Sequence, residues 1–251
     1  MSSTEHIKDE AIILRVKDYG DKDKYVICYT RTHGKLRFIA YGGRSSNNVK
    51  GRVLQTFSEL EVELASATKF YSFRDARLIN LPMAYDIKQM AYASVVAELA
   101  AHLTEDNEPQ EEIYELLRST LKVLGKKNPR LVVLSFAIKI LSFSGLAPLM
   151  DTCVSCNREV EEEEDAFFSP LQGGLICKEC KAEFTGEGLE LASSNARRLW
   201  YILENIDFAN PSSFTVRGQE LMEVEKMLYK FIYFQTDKNL KSLEFLHQLG
   251  F

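Results

Sequence analysis

The feature that most constrains this 251-residue chain is a pair of short cysteine motifs in its second half. Cys153-Val-Ser-Cys156 and Cys177-Lys-Glu-Cys180 are separated by twenty residues. Each motif can present two sulfurs to one tetrahedral ion, so the spacing is typical of a four-thiolate zinc ribbon. The residues between the motifs include six acids and few apolar side chains, and such a segment needs bound metal to fold. We therefore predict one structural Zn²⁺ on Cys153, Cys156, Cys177 and Cys180.

Two other interpretations of the cysteines remain open. Two disulfides would suit an oxidising compartment, but the fifth cysteine, Cys28, would be a liability there. A catalytic zinc needs an open coordination position, which four protein thiolates do not leave, and the chain has no HExxH motif. Both interpretations are disfavoured relative to structural zinc.

Short strands are predicted from residue 11 to residue 81. Leu60, Val62 and Leu64 alternate with glutamates, which predicts one buried and one wet face. About five such strands separated by turn residues indicate a small closed barrel of the OB type. An SH3-like barrel fits the same strand count.

A helical period begins at Pro82. One predicted helix, from Leu131 to Phe143, is apolar on nearly every face and belongs in the middle of a bundle. The fold class is therefore α+β and multidomain. We expect an OB-fold barrel in residues 1–81, a helical domain in 82–150 and 181–251, and a four-cysteine zinc module inserted at 151–180.

Charge is distributed unevenly along the chain. The net charge is −5, yet residues 1–80 hold 14 Lys and Arg against 10 Asp and Glu. No acidic residue occurs between Arg31 and Ser58. A domain with a net positive charge can bind a polyanion even when the whole chain is acidic. Cationic and aromatic side chains on strands and loops suit sequence-tolerant DNA binding. The candidate DNA-binding residues are Lys35, Arg37, Tyr41, Arg44, Lys50 and Arg52.

Aromatic residues near these cations could stack on bases or fill the barrel. Phe38 and Phe57 are expected in the core, and Tyr41, beside Gly42-Gly43, is the better stacking candidate. Lys35 and Arg37 are two apart on a strand and should project from the same face.

Catalytic and targeting signals are weak. The four histidines are scattered, and neither GxxxxGKS nor GxGxxG occurs, so no enzymatic activity is expected. The polar N-terminus resembles neither a signal nor a transit peptide, and no stretch suits a bilayer. We expect a cytoplasmic protein without membrane contact.

Three stretches resemble the RecO family. They are Gly34-Lys-Leu-Arg-Phe-Ile-Ala-Tyr-Gly-Gly-Arg44, followed by Lys50-Gly-Arg-Val-Leu-Gln-Thr-Phe57, and the C-terminal Leu240-Lys-Ser-Leu-Glu-Phe-Leu-His-Gln-Leu249. The cysteine pairs with Gly-Gly-Leu-Ile-Cys are similar to those of the zinc-bearing members. Family DNA-binding positions are matched by Lys35, Arg37, Arg44 and Lys50, whereas Tyr41 stands where members often carry Lys.

The resemblance implies a DNA repair and recombination mediator of the RecF pathway, associated with the nucleoid. Such a protein binds single- and double-stranded DNA and anneals complementary strands. It works with RecR and with the C-terminal tail of single-stranded DNA-binding protein, so that RecA is loaded; RecF and RecA would be indirect partners. A tail-binding pocket is not identifiable, because Val132 and Val133 lie where a basic residue is expected and Arg130 is the nearest substitute.

Two functions of other classes compete with the mediator. The chain could be a zinc-containing scaffold whose acidic parts bind basic proteins, with incidental DNA contact, or a zinc-dependent hydrolase. A pull-down that recovers RecR without any DNA shift would favour the scaffold. Metal-dependent turnover would favour the hydrolase.

Overall fold

The computed structural model describes residues 6–45, 49–67, 69–81, 85–184, 186, 188–208 and 214–250. Its contacts divide the chain into two compact units, Met1–Pro129 with Lys241–Phe251, and Arg130–Leu240. Of the helices in the described residues, none combines the length and apolar character that crossing a membrane requires.

The first unit begins with a closed barrel. Its strands are β1 (His6–Tyr19), β2 (Asp23–Thr30), β3 (Gly34–Ala40), β4 (Glu59–Ala65) and β5 (Tyr71–Asn80), and a short helix α1 (Val49–Arg52) precedes β4. The strand order is β1-β2-β3-β5-β4, and β4 pairs with β1 to complete the circle. Every pairing is antiparallel except that of β3 with β5. The expected OB-like barrel is confirmed.

Alternating apolar residues of the strands point into the barrel, as their period of two requires. The buried cluster includes Val26, Cys28, Leu36, Phe38 and Leu60. Glu59 departs from the predicted wet face of β4, because the later helix Glu111–Leu124 covers that end of the strand. Arg118 of this helix pairs with the Glu59 carboxylate at 2.8 Å. Tyr114 donates a hydrogen bond to the same carboxylate at 3.2 Å.

Three helices complete the first unit: α2 (Ile87–Leu103), α3 (Glu111–Leu124) and α8 (Lys241–Gln248). Helix α8 packs on α2. The carboxylate of Glu98 accepts hydrogen bonds from the backbone N–H groups of Lys241 and Ser242, at 3.2 and 2.8 Å. These bonds satisfy donors at the start of α8 that have no partner within the helix.

The second unit combines helices with a small sheet. The helices are α4 (Pro129–Phe143), α5 (Lys178–Glu183), α6 (Ser194–Asn205) and α7 (Gly218–Thr236). The strands β6 (Leu149–Cys153), β7 (Ala166–Ser169), β8 (Gly174–Ile176) and β9 (Glu190–Ala192) form a sheet in the order β6-β8-β7-β9. Helix α4 is buried on all faces, as its sequence predicted. The cysteine segment lies between α4 and α6 of the same unit.

The two units group the chain differently from the three predicted segments and do not test them. Helices α2 and α3 group with the barrel because barrel side chains bond to them directly, as Tyr29 does through its hydroxyl to the carbonyl of Gln110 at 3.3 Å. The predicted boundary after residue 81 adjoins residues 82–84, which lie outside the described residues. The three-segment subdivision therefore stays a prediction.

Candidate nucleic-acid interface and metal site

Lys35 and Arg37 share the outer face of β3, as their spacing predicted. Both contact the Asp106 carboxylate, Lys35 Nζ at 3.3 Å and an Arg37 guanidinium nitrogen at 2.9 Å. Lys35 is only 5% exposed, however, and its ammonium also donates to the carbonyls of Ala101 and Thr104. Burial lowers the Lys35 pKa, although Asp106 opposes that shift. Because its donors are occupied inside the protein, Lys35 is not available to a phosphate.

The residues that cover Lys35 approach the barrel closely. Gly34 has a φ of +69°, and a Cβ there would lie 2.3 Å from the carbonyl oxygen of Glu108. Glycine at this position therefore allows both the turn before β3 and the approach of the segment after α2. The lysine was a reasonable surface candidate by alternation, but the barrel face that carries it is covered within the first unit.

The other candidate cations are exposed at the connection between β3 and β4. Arg44 pairs with Asp18 at 3.2 Å and Lys50 pairs with Asp75 at 2.9 Å, and Arg52 is also exposed. The two ends of this connection touch: a Cβ on Gly51 would lie 2.4 Å from the carbonyl oxygen of Gly43. Residues 46–48 of the predicted basic loop lie outside the described residues. We call Tyr41, Arg44, Lys50 and Arg52 the basic cluster.

Aromatic positions separate clearly into core and surface. Tyr29 and Phe38 are fully buried and Phe57 is 8% exposed, whereas the Tyr41 side chain is 66% exposed. The expectation that Phe38 and Phe57 fill the core is confirmed. Of Tyr29, Phe38, Tyr41 and Phe57, only Tyr41 presents a ring face on which a base could stack.

Sequence reasoning missed a second aromatic group on the outer face of β2. Tyr25 pairs with Ile39 across the β2–β3 ladder, and its ring meets that of Phe70 edge-on with centroids 5.2 Å apart. Lys69, in the β4–β5 connection, lies over the Phe70 ring at 5.3 Å. The outer β2–β3 face and the neighbouring loops are where OB folds bind oligonucleotides. The alternation of Tyr25, Ile27 and Tyr29 was the available signal.

The four cysteines of the two motifs come together in the second unit. Their sulfur atoms all lie within 4.8 Å of one another, none is in a disulfide, and the group can hold one metal ion. Cys153 closes β6, and Cys177 caps α5 by accepting the backbone N–H of Cys180 at 3.5 Å. The disulfide alternative is not what the structure contains.

Backbone amides favour thiolate formation at this site. Burial raises the pKa of the Cys153 thiol, but N–H groups of Cys177, Cys156 and Ser155 outweigh burial and bring that pKa to about 6. Thiol contacts with Cys177 and Cys156 raise the pKa of Cys180 to about 12. Cys153 therefore loses its proton more readily than Cys180, and a bound cation would displace the protons that the other thiols retain.

The candidate tail-binding residues are not free for a ligand. Val132 and Val133 are buried in α4, and Arg130 forms a two-pronged ion pair with the carboxylate of Glu225. Arg130 is the one basic residue of the three, and its side chain is 39% exposed beside Glu225. The tail-binding pocket therefore has no assigned position.

An OB-like barrel followed by a helical region defines a class of barrel protein whose second part carries four thiols that can hold a metal ion. The chain is similar over residues 1–82 to the family model described as Recombination protein O N terminal, and over 84–244 to Recombination protein O C terminal. DNA repair protein RecO of Symbiobacterium thermophilum is 30% identical over 245 residues, which span 96% of each chain. The Bacillus pumilus protein of that name is 29% identical over 247 residues, 97% of this chain and 94% of the relative. This chain belongs to the RecO family of DNA repair proteins.

Proposed function

We propose that this protein binds single- and double-stranded DNA through its barrel and anneals complementary strands without catalysing a covalent step. With RecR, it would help load RecA onto DNA coated by single-stranded DNA-binding protein, whose C-terminal tail is a second partner. The observation that carries the DNA-binding part is the basic cluster, exposed on an OB-like barrel in a member of a DNA repair family. A cytoplasmic, nucleoid-associated location follows from that role.

The ion pairs of the basic cluster do not oppose this role. Arg44 and Lys50 pair with aspartates at the surface, and exposed pairs contribute only about 0–1 kcal/mol. A phosphate can therefore replace the aspartate in either pair with little loss of free energy. Arg37 is similar, since its side chain is 42% exposed beside Asp106. The proposed DNA-binding set is Arg37, Tyr41, Arg44, Lys50 and Arg52, without Lys35.

Annealing follows from neutralising two strands at once. Cations that contact phosphates release condensed counterions, which drives binding and reduces repulsion between strands. Each lost contact should reduce the slope of log affinity against log salt by about 0.7 for single strands. Affinity should therefore fall steeply as salt rises.

The test is strand annealing by the full-length protein, with and without single-stranded DNA-binding protein on the DNA. The double variant Arg44→Ala/Arg52→Ala should bind single-stranded DNA with a slope lower by about 1.4 and anneal more slowly. The matched control is Lys126→Ala/Lys127→Ala, which removes two exposed cations beyond α3. Equal losses in both double variants would mean that general charge, not the basic cluster, binds DNA.

We infer that the metal is zinc and that it is structural. A tetrahedral ion with Zn–S bonds of about 2.3 Å places its sulfurs about 3.8 Å apart. Cys156 and Cys177 have their sulfurs 3.8 Å apart, and four protein thiolates are the usual donors of closed zinc sites. Such a site braces the peptide segments that carry its ligands and has no open position for water.

A further inference from the structure

An open cleft of about 630 Å³ lies wholly within the Arg130–Leu240 unit. Its volume is in the range of ligand-binding sites. The apolar part of the lining includes Leu149 and Tyr201, which are 51% and 67% exposed, and Trp200, which is buried. We call this feature the acidic cleft because of the charges around it.

Carboxylates surround this apolar lining. The acidic residues that line the cleft are Asp151, Glu159, Glu161, Glu162 and Glu204. Arg197 and Arg198 also line it, which leaves an excess of three negative charges. Within the described part of the chain, none of the five carboxylates forms an ion pair with a cationic side chain.

Other acids of the same unit are paired. Glu164 pairs with Arg158 at 2.9 Å, and Glu190 pairs with Lys226 at 2.6 Å. Arg197 interacts electrostatically with Asp151 and Glu162, and Lys139 with Glu204. The excess of carboxylates beside apolar surface nevertheless favours a positively charged occupant. They also repel nucleic acid, so the occupant is not DNA.

Arg197 holds one wall of the cleft in place. Its guanidinium is nine-tenths buried and donates to the carbonyls of Glu161, Glu164 and Val160 at 2.8–2.9 Å. These bonds tie α6 to the acidic segment that forms one wall. Its Nε, also buried, has no acceptor in the described residues and is not accessible to an occupant, so Arg197 shapes the wall of the cleft.

We propose that the acidic cleft binds a cationic, amphipathic peptide segment of a partner protein. A peptide combines the two complementary features: basic side chains for the carboxylates, and apolar side chains for Leu149 and Tyr201. A polyamine has the charge but lacks the apolar side chains. The proposal does not depend on DNA binding, because the cleft shares no residue with the basic cluster.

The chain has a built-in reporter, since Trp200 is its single tryptophan and lines the cleft. Tryptophan emission of the full-length protein is recorded while a capped octapeptide of alternating Arg and Leu is added. Saturable change at one site is expected. Arg-Ser and Glu-Leu octapeptides and spermidine serve as probes that each lack one feature, and each should bind at least about tenfold more weakly.

Two matched double variants locate the site. Glu162→Gln/Glu204→Gln removes two lining carboxylates and should weaken the Arg-Leu peptide about tenfold. Glu163→Gln/Glu183→Gln removes two exposed carboxylates of the same unit that do not line the cleft, and should stay within about twofold of the parent. Equal weakening by both, equal binding of spermidine or the Glu-Leu peptide, or binding without change in Trp200 emission would overturn the proposal.

Discussion

In the barrel, apolar side chains from all five strands meet in one cluster, whereas helix α5 of the cysteine segment has no buried residue. The barrel is stabilised by removing apolar surface from water. The cysteine segment carries its thiols before and after Phe168, and we propose that a bound ion braces them. Phe168 itself is buried, with its ring 5.9 Å from that of Phe231. The comparison predicts that metal and burial support separate parts of one chain, which mutations can test separately.

The largest effect should come from Cys177→Ser, which removes one of the four thiols. In small zinc peptides the metal contributes about 10–16 kcal/mol, and the loss of a ligand should release the ion. We expect no bound metal by mass spectrometry and rapid proteolysis near the cysteine motifs. Salt-dependent DNA binding by the full-length variant should persist.

Cys28→Ser is the matched control for that variant, because Cys28 is a barrel-core thiol whose pKa burial raises to about 12. It should keep the metal while lowering stability. Metal retention by Cys177→Ser, or loss of DNA binding with the metal, would show that the two parts are not separate.

The second effect should come from Phe38→Ala in the barrel. Phe38 is fully buried and stacks on Phe73 with centroids 5.7 Å apart. Removing a buried phenyl ring costs about 3–5 kcal/mol. Urea unfolding should show that loss while metal content stays unchanged. Tyr41→Ala, on an exposed aromatic three residues away, should change stability by less than about 0.5 kcal/mol.

A smaller effect concerns Glu190, which is buried and pairs with Lys226 and Lys230. Burial raises the Glu190 pKa, but the two lysines outweigh burial and hold it below its usual value of 4.5. A carboxyl with a lowered folded-state pKa contributes stability above pH 4.5, and that contribution is lost as pH falls through the folded-state pKa. Glu190→Gln should therefore lower the free energy of unfolding by about 1–3 kcal/mol at pH 6. The variant should also lose less stability than the parent as the pH falls from 5 to 3.

Thermal melts of the parent and of Glu190→Gln at pH 6, 5, 4 and 3 measure the pH dependence of stability. Glu244→Gln, which removes an exposed carboxylate on α8, should follow the parent at every pH. If Glu190→Gln lost stability on acidification as steeply as the parent, the assigned origin of the pH dependence would be wrong.

The smallest effect should come from Lys35→Met, which sharpens the comparison on the barrel itself. Removing the ammonium leaves the Ala101 and Thr104 carbonyls without this donor, at a cost of about 1–2 kcal/mol, while Asp106 keeps its pair with Arg37. The salt slope of DNA binding should match that of the parent, whereas Arg44→Ala should lower the slope and leave the melting temperature unchanged. A reduced slope in Lys35→Met would return this residue to the DNA-binding set.

The sequence predicted the elements with strong local signals. The spacing of the cysteine motifs predicted the cluster that the structure contains. Alternation along β4 predicted that Leu60 and Val62 lie on the buried face of the strand. The apolar composition of α4 predicted its central position. Each of these follows from the period of a single element or from the geometry of one ion.

Contacts between distant segments could not be predicted in this way. Alternation places Lys35 outside the barrel, but only the fold shows that the segment around Asp106 covers it. Glu59 is a similar case, since its partners Arg118 and Tyr114 come from α3. Phe57 adopts a φ of +73°, which no local pattern indicates for a bulky residue. Lys35 and Glu59 are buried by contacts with residues more than fifty positions away in the sequence.

The return of α8 to the first unit has a consequence for how the chain is made. Residues 241–250 leave the ribosome after all of residues 130–240, yet α8 packs on α2 and is held there by Glu98. Domains generally fold during synthesis in N-to-C order. The barrel-bearing unit must therefore wait, with the α8-binding side of α2 uncovered, until translation has passed the whole Arg130–Leu240 unit. Nascent chains stalled before Lys241 should expose that apolar surface to chaperones.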